Sequence, residues 1–151
     1  SILTNEKHLP LIYALMFCMP GIPCVYYGSE WGAKARKEDG DPALRACFDA
    51  PVENELTTYI SRLAAIKKAS DALNYGNFRS VLLTNKQCIF ERKTGSERVL
   101  LALNADEAPF DAHFDAGCGR AEELISQTTH DFGGGTTLAP YTAYIWKMET
   151  V

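Results

Sequence analysis

The pattern of apolar and polar positions divides the chain into two textures that meet near residue 73. In the first, residues 5–19 carry Leu9, Ile12, Tyr13, Met16 and Phe17 at helical spacing, and Pro10 falls close enough to the start to be tolerated. Pro20 and Gly21 then stop the helix. Residues 22–27 form a short unbroken apolar run of β-branched and aromatic side chains, the pattern of a parallel strand covered on both faces, and Gly28 ends it. Residues 28–52 hold charges, Gly32, Gly40, Pro42 and Pro51 without a sustained period, so a long loop is predicted, a kind of segment that often carries function. A second helix is predicted over 54–70. Its stripe is Leu56, Tyr59, Ile60, Leu63 and Ile66; Asn54 caps the start, and Glu55 and Lys67-Lys68 suit the two dipole ends.

Beyond Leu73 the runs shorten. Segments at 78–84, 88–93, 98–104, 110–114, 122–126 and 141–147 are separated by turn-like clusters such as Asn85-Lys86, Lys93-Thr94-Gly95 and Gly133-Gly134-Gly135. That spacing predicts an antiparallel sandwich. The fold class expected is α/β followed by all-β.

Composition narrows the functional classes. With 46% hydrophobic and 23% charged residues the chain reads as globular. A net charge of -4 and the lack of a Lys/Arg cluster argue against a nucleic-acid partner, and Lys34, Arg36 and Lys37 read as a solvated loop face. Pro10, Pro20, Gly21 and Pro23 interrupt the apolar stretch 9–27 before the roughly 20 residues a membrane span requires. Cys18, Cys24, Cys47, Cys88 and Cys118 are odd in number and lack CxxC spacing, so free thiols in a reducing, cytoplasmic compartment are expected. His8, His113 and His130 are scattered, and the glycine run lacks the flanks of a phosphate cradle; neither metal nor cofactor is expected.

Four segments then carry a family resemblance. Residues 19–32, MPGIPCVYYGSEWG, are similar to the end of the barrel in α-amylase-family glycoside hydrolases, where a helix stops at Pro-Gly, the last strand follows, and Gly-x-Glu comes next. Residues 40–45, GDPALR, resemble the Asp-Pro-x-x-Arg of the cyclomaltodextrinase, neopullulanase and oligo-glucosidase-like branches. Arg62, Ile66, Lys67-Lys68, Ala72-Leu73 and Gly76-Asn77-Phe78 look like the final barrel helix and the entry to a C-terminal sandwich, and 138–146, LAPYTAYIW, like its last strand.

The resemblance implies that residues 1–72 are the last strand and flanking helices of a catalytic (β/α)8 barrel, and 73–151 a C-terminal antiparallel β-sandwich. It implies a parent enzyme that cleaves α-glucosidic bonds of starch- or maltooligosaccharide-type substrates by a retaining mechanism, with its catalytic carboxylates on earlier barrel strands. No catalytic residue is then expected in this chain, which alone would be inactive. The parent as an α-glucosyl transferase, or the sandwich as a carbohydrate-binding or purely structural module, remain as alternatives.

In such a barrel the site is built from loops at the C-terminal ends of the strands. The loop after Tyr27 is one of these, and the resemblance assigns Asp41 and Arg45 to substrate binding: a carboxylate accepts from sugar hydroxyls and a guanidinium donates to them. The plainer alternative is that the two pair with each other. Glu30 is expected to anchor the loop by a hydrogen bond, and Trp31 to stack on sugar or to pack inside. Residues 22–27, lacking parallel neighbours in the chain, would leave unpaired edges, so the isolated chain is expected to self-associate.

Overall fold

In the computed structural model, which describes residues 5–148, helix α1 spans His8–Cys18. From Leu9 onward it is apolar all round, so no one face is marked for the core by sequence. Leu11, Tyr13, Ala14, Phe17 and Cys18 are the buried side, while Ile12 stays 47% exposed. Residues 22–27 do not form the expected strand: they are irregular, and Ile22 is 95% exposed. A parallel strand exists only through its neighbours, and every strand pair among the described residues is antiparallel and lies later in the chain. Pro23 also removes a donor.

The predicted loop contains short 3-10 turns at Ser29–Trp31 and Lys37–Asp39 and one helical turn, α2, at Asp41–Leu44. Helix α3, Glu55–Ala69, follows the prediction closely. Its start is a capping box: Asn54 Oδ1 accepts from Thr57 N at 3.0 Å, and Thr57 Oγ1 accepts from Asn54 N at 2.8 Å. A further short helix, α4, Asp71–Tyr75, has no period to predict it; the Ser70 hydroxyl caps it by accepting from Leu73 N at 3.1 Å. After α4 the chain enters the sheet at Gly76, where a Cβ would meet Ala72 O at 2.4 Å and Lys93 N at 2.8 Å. Only glycine fits between those two backbones.

The strands are β1 Asn77–Leu83, β2 Gln87–Lys93, β3 Arg98–Asn104, β4 Phe110–Asp111, β5 Arg120–Glu123, β6 Thr128–Asp131, β7 Thr137–Leu138 and β8 Thr142–Met148. Six form one antiparallel sheet in the order β1-β2-β3-β8-β5-β6, and β4 with β7 forms a two-stranded second layer. The run expected at 122–126 ends early because Glu123 turns the chain: its carboxylate accepts from Ile125 N at 3.2 Å and Ser126 N at 2.6 Å. β6 and β7, too polar or too short for a hydrophobic period, went unpredicted.

Strand alternation splits the core across the large sheet. Val99, Leu101, Leu103, Ala143 and Ile145 face α1, α3 and α4. Ile89, Leu100, Ala102 and Trp146 face the second layer with Ala112 and Leu138. Each fully buried aliphatic side chain contributes about 1.5–3 kcal/mol, so both cores matter. Phe90 belongs to the helix-side core, and Phe110, Phe114, Tyr144 and Trp146 to the other, so most of these aromatics pack within the domain.

Two polar side chains hold the layers in place. Arg92, 3% exposed, donates to Cys18 O at 2.9 Å and Gly76 O at 3.0 Å, tying the C-terminal ends of α1 and α4 to β2. Burial lowers its pKa, and burial pushes the neighbouring Cys18 thiol up to about 12, which leaves that thiol inert. Asn104, fully buried, donates to Ala108 O, Leu138 O and Ala139 O and accepts from Gln87 Nε2 at 2.9 Å, joining the large sheet to the second layer.

Candidate functional site

The loop after residue 27 is shaped by backbone geometry first. Gly28 adopts φ 85°, and the Phe48 ring occupies the place a Cβ would take, with Cε2 2.7 Å from it. A side chain at 28 would therefore expel Phe48 as well as strain the turn. Ser29 N donates to Tyr26 O, and Tyr13 Oη donates to Ser29 Oγ at 3.0 Å, fixing the turn to α1. Asn54 Nδ2 donates to Trp31 O at 3.0 Å, so the cap of α3 also holds the loop.

Phe48 is the centre of an aromatic cluster. Its ring stands edge-on to Trp31 at 5.1 Å and to Tyr27 at 6.0 Å, and Tyr26 leans on Tyr27 at 4.7 Å. Beside it lies an open hollow of about 590 Å³ lined by Tyr27, Glu30, Trp31, Arg45, Cys47 and Phe48. Its polar groups are the Arg45 guanidinium, the Glu30 and Asp49 carboxylates, the Tyr27 phenol and the Cys47 thiol, so it offers donors and acceptors next to flat apolar faces. That combination suits a polyhydroxylated ring with one apolar face. The Tyr27 phenol is held above its ordinary pKa chiefly by its hydrogen bond with Tyr26, while the Arg45 charge pulls it down.

Of the two residues assigned to substrate binding, Arg45 lines this hollow and Asp41 is not among its lining residues. Asp41 opens α2, and Arg45 follows four residues later, so one helical turn brings them together. Their separation, Arg45 Nη2 to Asp41 Oδ2, is 3.7 Å, with both side chains more than two-thirds exposed. That is a loose ion pair, weak enough to open for a ligand. Glu30 departs from its expected anchoring role: its Oε2 is buried without a hydrogen-bond partner. Trp31 packs against Phe48 and still borders the hollow. Sequence reading missed Phe48 because its partners lie 17 to 21 positions away, with no local period to mark it.

A second, larger groove of about 1670 Å³ runs between α1 and the start of α3, lined by Leu9, Ile12, Trp31, Leu56 and Tyr59, with the Lys34–Glu6 ion pair on its rim. Among the described residues, no group of three or more His, Cys, Asp or Glu is placed to hold a metal ion.

No family model matches the chain. Curated relatives do. An α-amylase from Niallia circulans is 32% identical over 102 residues, which are 66% of this chain and 19% of that protein. A cyclomaltodextrin glucanotransferase from Thermoanaerobacterium thermosulfurigenes is 33% identical over 99 residues, 63% of this chain and 13% of the relative. A cyclomaltodextrinase from Thermoanaerobacter pseudethanolicus is 25% identical over 142 residues, 92% of this chain and 24% of the relative. The chain thus spans less than a quarter of the length of each. Among solved structures, an α-amylase from Geobacillus thermoleovorans, complexed with acarbose, superposes with a TM-score of 0.83 at 20% identity, over 95% of this chain and 33% of that one. A cyclomaltodextrin glucanotransferase with a three-domain ABC distribution gives 0.82 at 21% identity, over 97% and 33%. The mostly antiparallel domain with its few helices matches the C-terminal domains of these enzymes. By sequence and fold together, the chain is a relative of the α-amylase family and corresponds to a C-terminal part of its members.

Proposed function

We propose that the chain is a C-terminal part of a retaining α-glucan-acting enzyme, in which residues 1–72 are the last strand and flanking helices of the catalytic barrel and 73–151 form the C-terminal β-sandwich domain. The observation that carries the functional reading is the hollow in which Arg45 meets Tyr27, Glu30 and Trp31. There Arg45 and Asp41 hold a glucosyl unit by hydrogen bonds while an aromatic face packs on its ring.

Three features support the barrel reading. Helix α1 is apolar all round, as befits a helix surrounded by other elements, yet Leu9, Ile12, Leu15 and Met16 have no complete cover here. Among the described residues, 22–25 make no backbone hydrogen bond, as a strand awaiting its neighbours would. The buried Glu30 Oε2 lacks a donor that an adjoining element would supply. On its own the chain self-associates through these same groups.

Glycoside cleavage with retention needs a nucleophilic carboxylate and an acid about 5–5.5 Å away, supplied by other residues of the parent. This chain contributes one wall of the sugar site. A transferase parent uses the same wall, since hydrolysis and transfer differ in the acceptor of the glycosyl-enzyme. The test is Asp41→Ala and Arg45→Ala in the complete enzyme, with kcat/KM measured on maltooligosaccharides. Loss of a charged hydrogen bond of about 1.5–3 kcal/mol corresponds to a fall of roughly ten- to a hundredfold. Unchanged kcat/KM in both variants would remove the loop from the site.

A further inference from the structure

We infer that Tyr13, the buried phenol of α1, is a positioning residue for the hollow at Arg45, and that it passes to the hollow a position set by the large sheet. The inference rests on the sugar-site reading above and adds to it a residue outside the hollow's lining.

Tyr13 is the odd member of its helix. Residues 9–17 read LPLIYALMF, and among them Tyr13 alone carries a polar oxygen or nitrogen on its side chain. It is only 6% exposed, and burying a hydroxyl is costly unless a partner is supplied. Phenylalanine would fill the same place without that cost. The Tyr13 hydroxyl donates to Ser29 Oγ at 3.0 Å, and Ser29 Oγ in turn donates to Tyr26 O. A serine hydroxyl both accepts and donates, so the two bonds form a chain from the helix to the loop backbone.

This chain holds the frame of the hollow. Tyr26 O also accepts from Ser29 N at 3.0 Å, which closes residues 26–29 into a tight turn around Gly28. Tyr27 lies inside that turn, and Glu30 and Trp31 follow it; all three line the hollow. The Phe48 ring that packs on Tyr27 and Trp31 rests against Gly28 of the same turn. A shift of Ser29 is therefore passed to Tyr27, Trp31 and Phe48 together. Asn54 anchors the far end of the segment through Trp31 O, and Tyr13 anchors the near end.

Tyr13 serves as a fixed point because the large sheet holds α1 at both ends. At the start of the helix His8 Nε2 donates to Ala105 O, just past β3, at 3.1 Å; at its end Arg92 of β2 donates to Cys18 O at 2.9 Å. Between them Leu11, Ala14 and Phe17 share a core with Val99, Leu101 and Ile145. Such placement has consequences for rate, since a displacement of about 1 Å at a binding or reacting group can cost roughly a hundredfold.

The test uses the complete enzyme, with kcat and KM measured on maltoheptaose for Tyr13→Phe, Ser29→Ala and Ser29→Thr, each alone and combined with Arg45→Ala. Tyr13→Phe and Ser29→Ala should each lower kcat/KM about fivefold, the worth of one neutral hydrogen bond, with the change in KM. Ser29→Thr keeps the hydroxyl and should retain the activity. In the Arg45→Ala background Tyr13→Phe should have an effect of less than about twofold, because the hollow it positions has already lost its guanidinium. A residue that merely supports the fold would lower kcat/KM by the same factor in both backgrounds, and that result would overturn the inference. Thermal midpoints check that the variants fold; if Tyr13→Phe does not, Ser29→Ala and Ser29→Thr carry the same comparison with the buried ring left in place. Unchanged kcat/KM in Tyr13→Phe and Ser29→Ala, beside a loss in Arg45→Ala, refutes the positioning role and leaves the sugar site standing. No loss in either Arg45→Ala or Asp41→Ala removes the sugar site, and the inference with it.

Discussion

Glu91 lies in the middle of β2 with its carboxylate almost covered, and it stays ionised because two guanidiniums reach it. Arg79 Nε donates to Oε1 at 2.9 Å and Arg98 Nε to Oε2 at 2.5 Å. The Arg79 hydrogen bond, with help from Arg98 and against the cost of burial, lowers the pKa from 4.5 to about 2. A carboxylate depressed in the folded state stabilises it fully above the unfolded value and loses that contribution as pH falls through the folded one. Stability of the chain should therefore decline between about pH 4.5 and 2. His130, whose pKa burial lowers, acts in the same direction at higher pH, so the two limbs separate. Urea denaturation against pH should show Glu91→Gln less stable by about 2 kcal/mol at neutral pH and flatter below pH 4.5. A variant as stable as the parent at pH 7, with the same acid limb, would show that the pair contributes nothing.

At the level of elements, what the sequence displays and what it hides follow from the range of the forces involved. Helix α3 was legible because its signals are local: a stripe at helical spacing, a cap at Asn54 and basic residues at its end. Removing the cap in Asn54→Ala should cost about 1 kcal/mol and also loosen the Trp31 carbonyl that Asn54 holds, observable as a lower urea midpoint and a change in Trp31 fluorescence. β3 was equally clear, its predicted and observed limits being the same residues, 98–104. The segment 22–27 has as strong a strand pattern and forms none, because a strand needs a partner that the pattern cannot contain. β6, TTHD, was obscure for the opposite reason: it pairs with β5 through the backbone while its side chains show little hydrophobic alternation. In the site, an Asp41–Arg45 pair was legible as the alternative to sugar binding, but the helical turn that forms it was hidden in a segment without a period, and the aromatic seat of Phe48 and the unpartnered oxygen of Glu30 arise from loop residues meeting across distance.

For the whole molecule, the uncovered surface is unevenly placed. Ile12, Ile22, Tyr26, Tyr27, Leu44, Phe48 and Val52 are all exposed large hydrophobic residues on α1 or on residues 22–52, a concentration larger than isolated surface apolar groups require. At high concentration the isolated chain should form dimers or larger species by light scattering, and Ile22→Asp should shift it towards monomer. A clean monomer for the unsubstituted chain would refute self-association.

The large sheet is a shared wall: β3 sends Val99, Leu101 and Leu103 into the helical side and Leu100 and Ala102 into the other. For protein engineering this sets where such enzymes can be recombined. A chimera spliced at the change of texture near residue 73 would join helices from one parent to a sheet face shaped by another, and would mismatch both halves of one core. Grafts that keep α1, α3, α4, β3 and β8 from a single source, and exchange only β4, β7 and the turns around them, leave that joint intact.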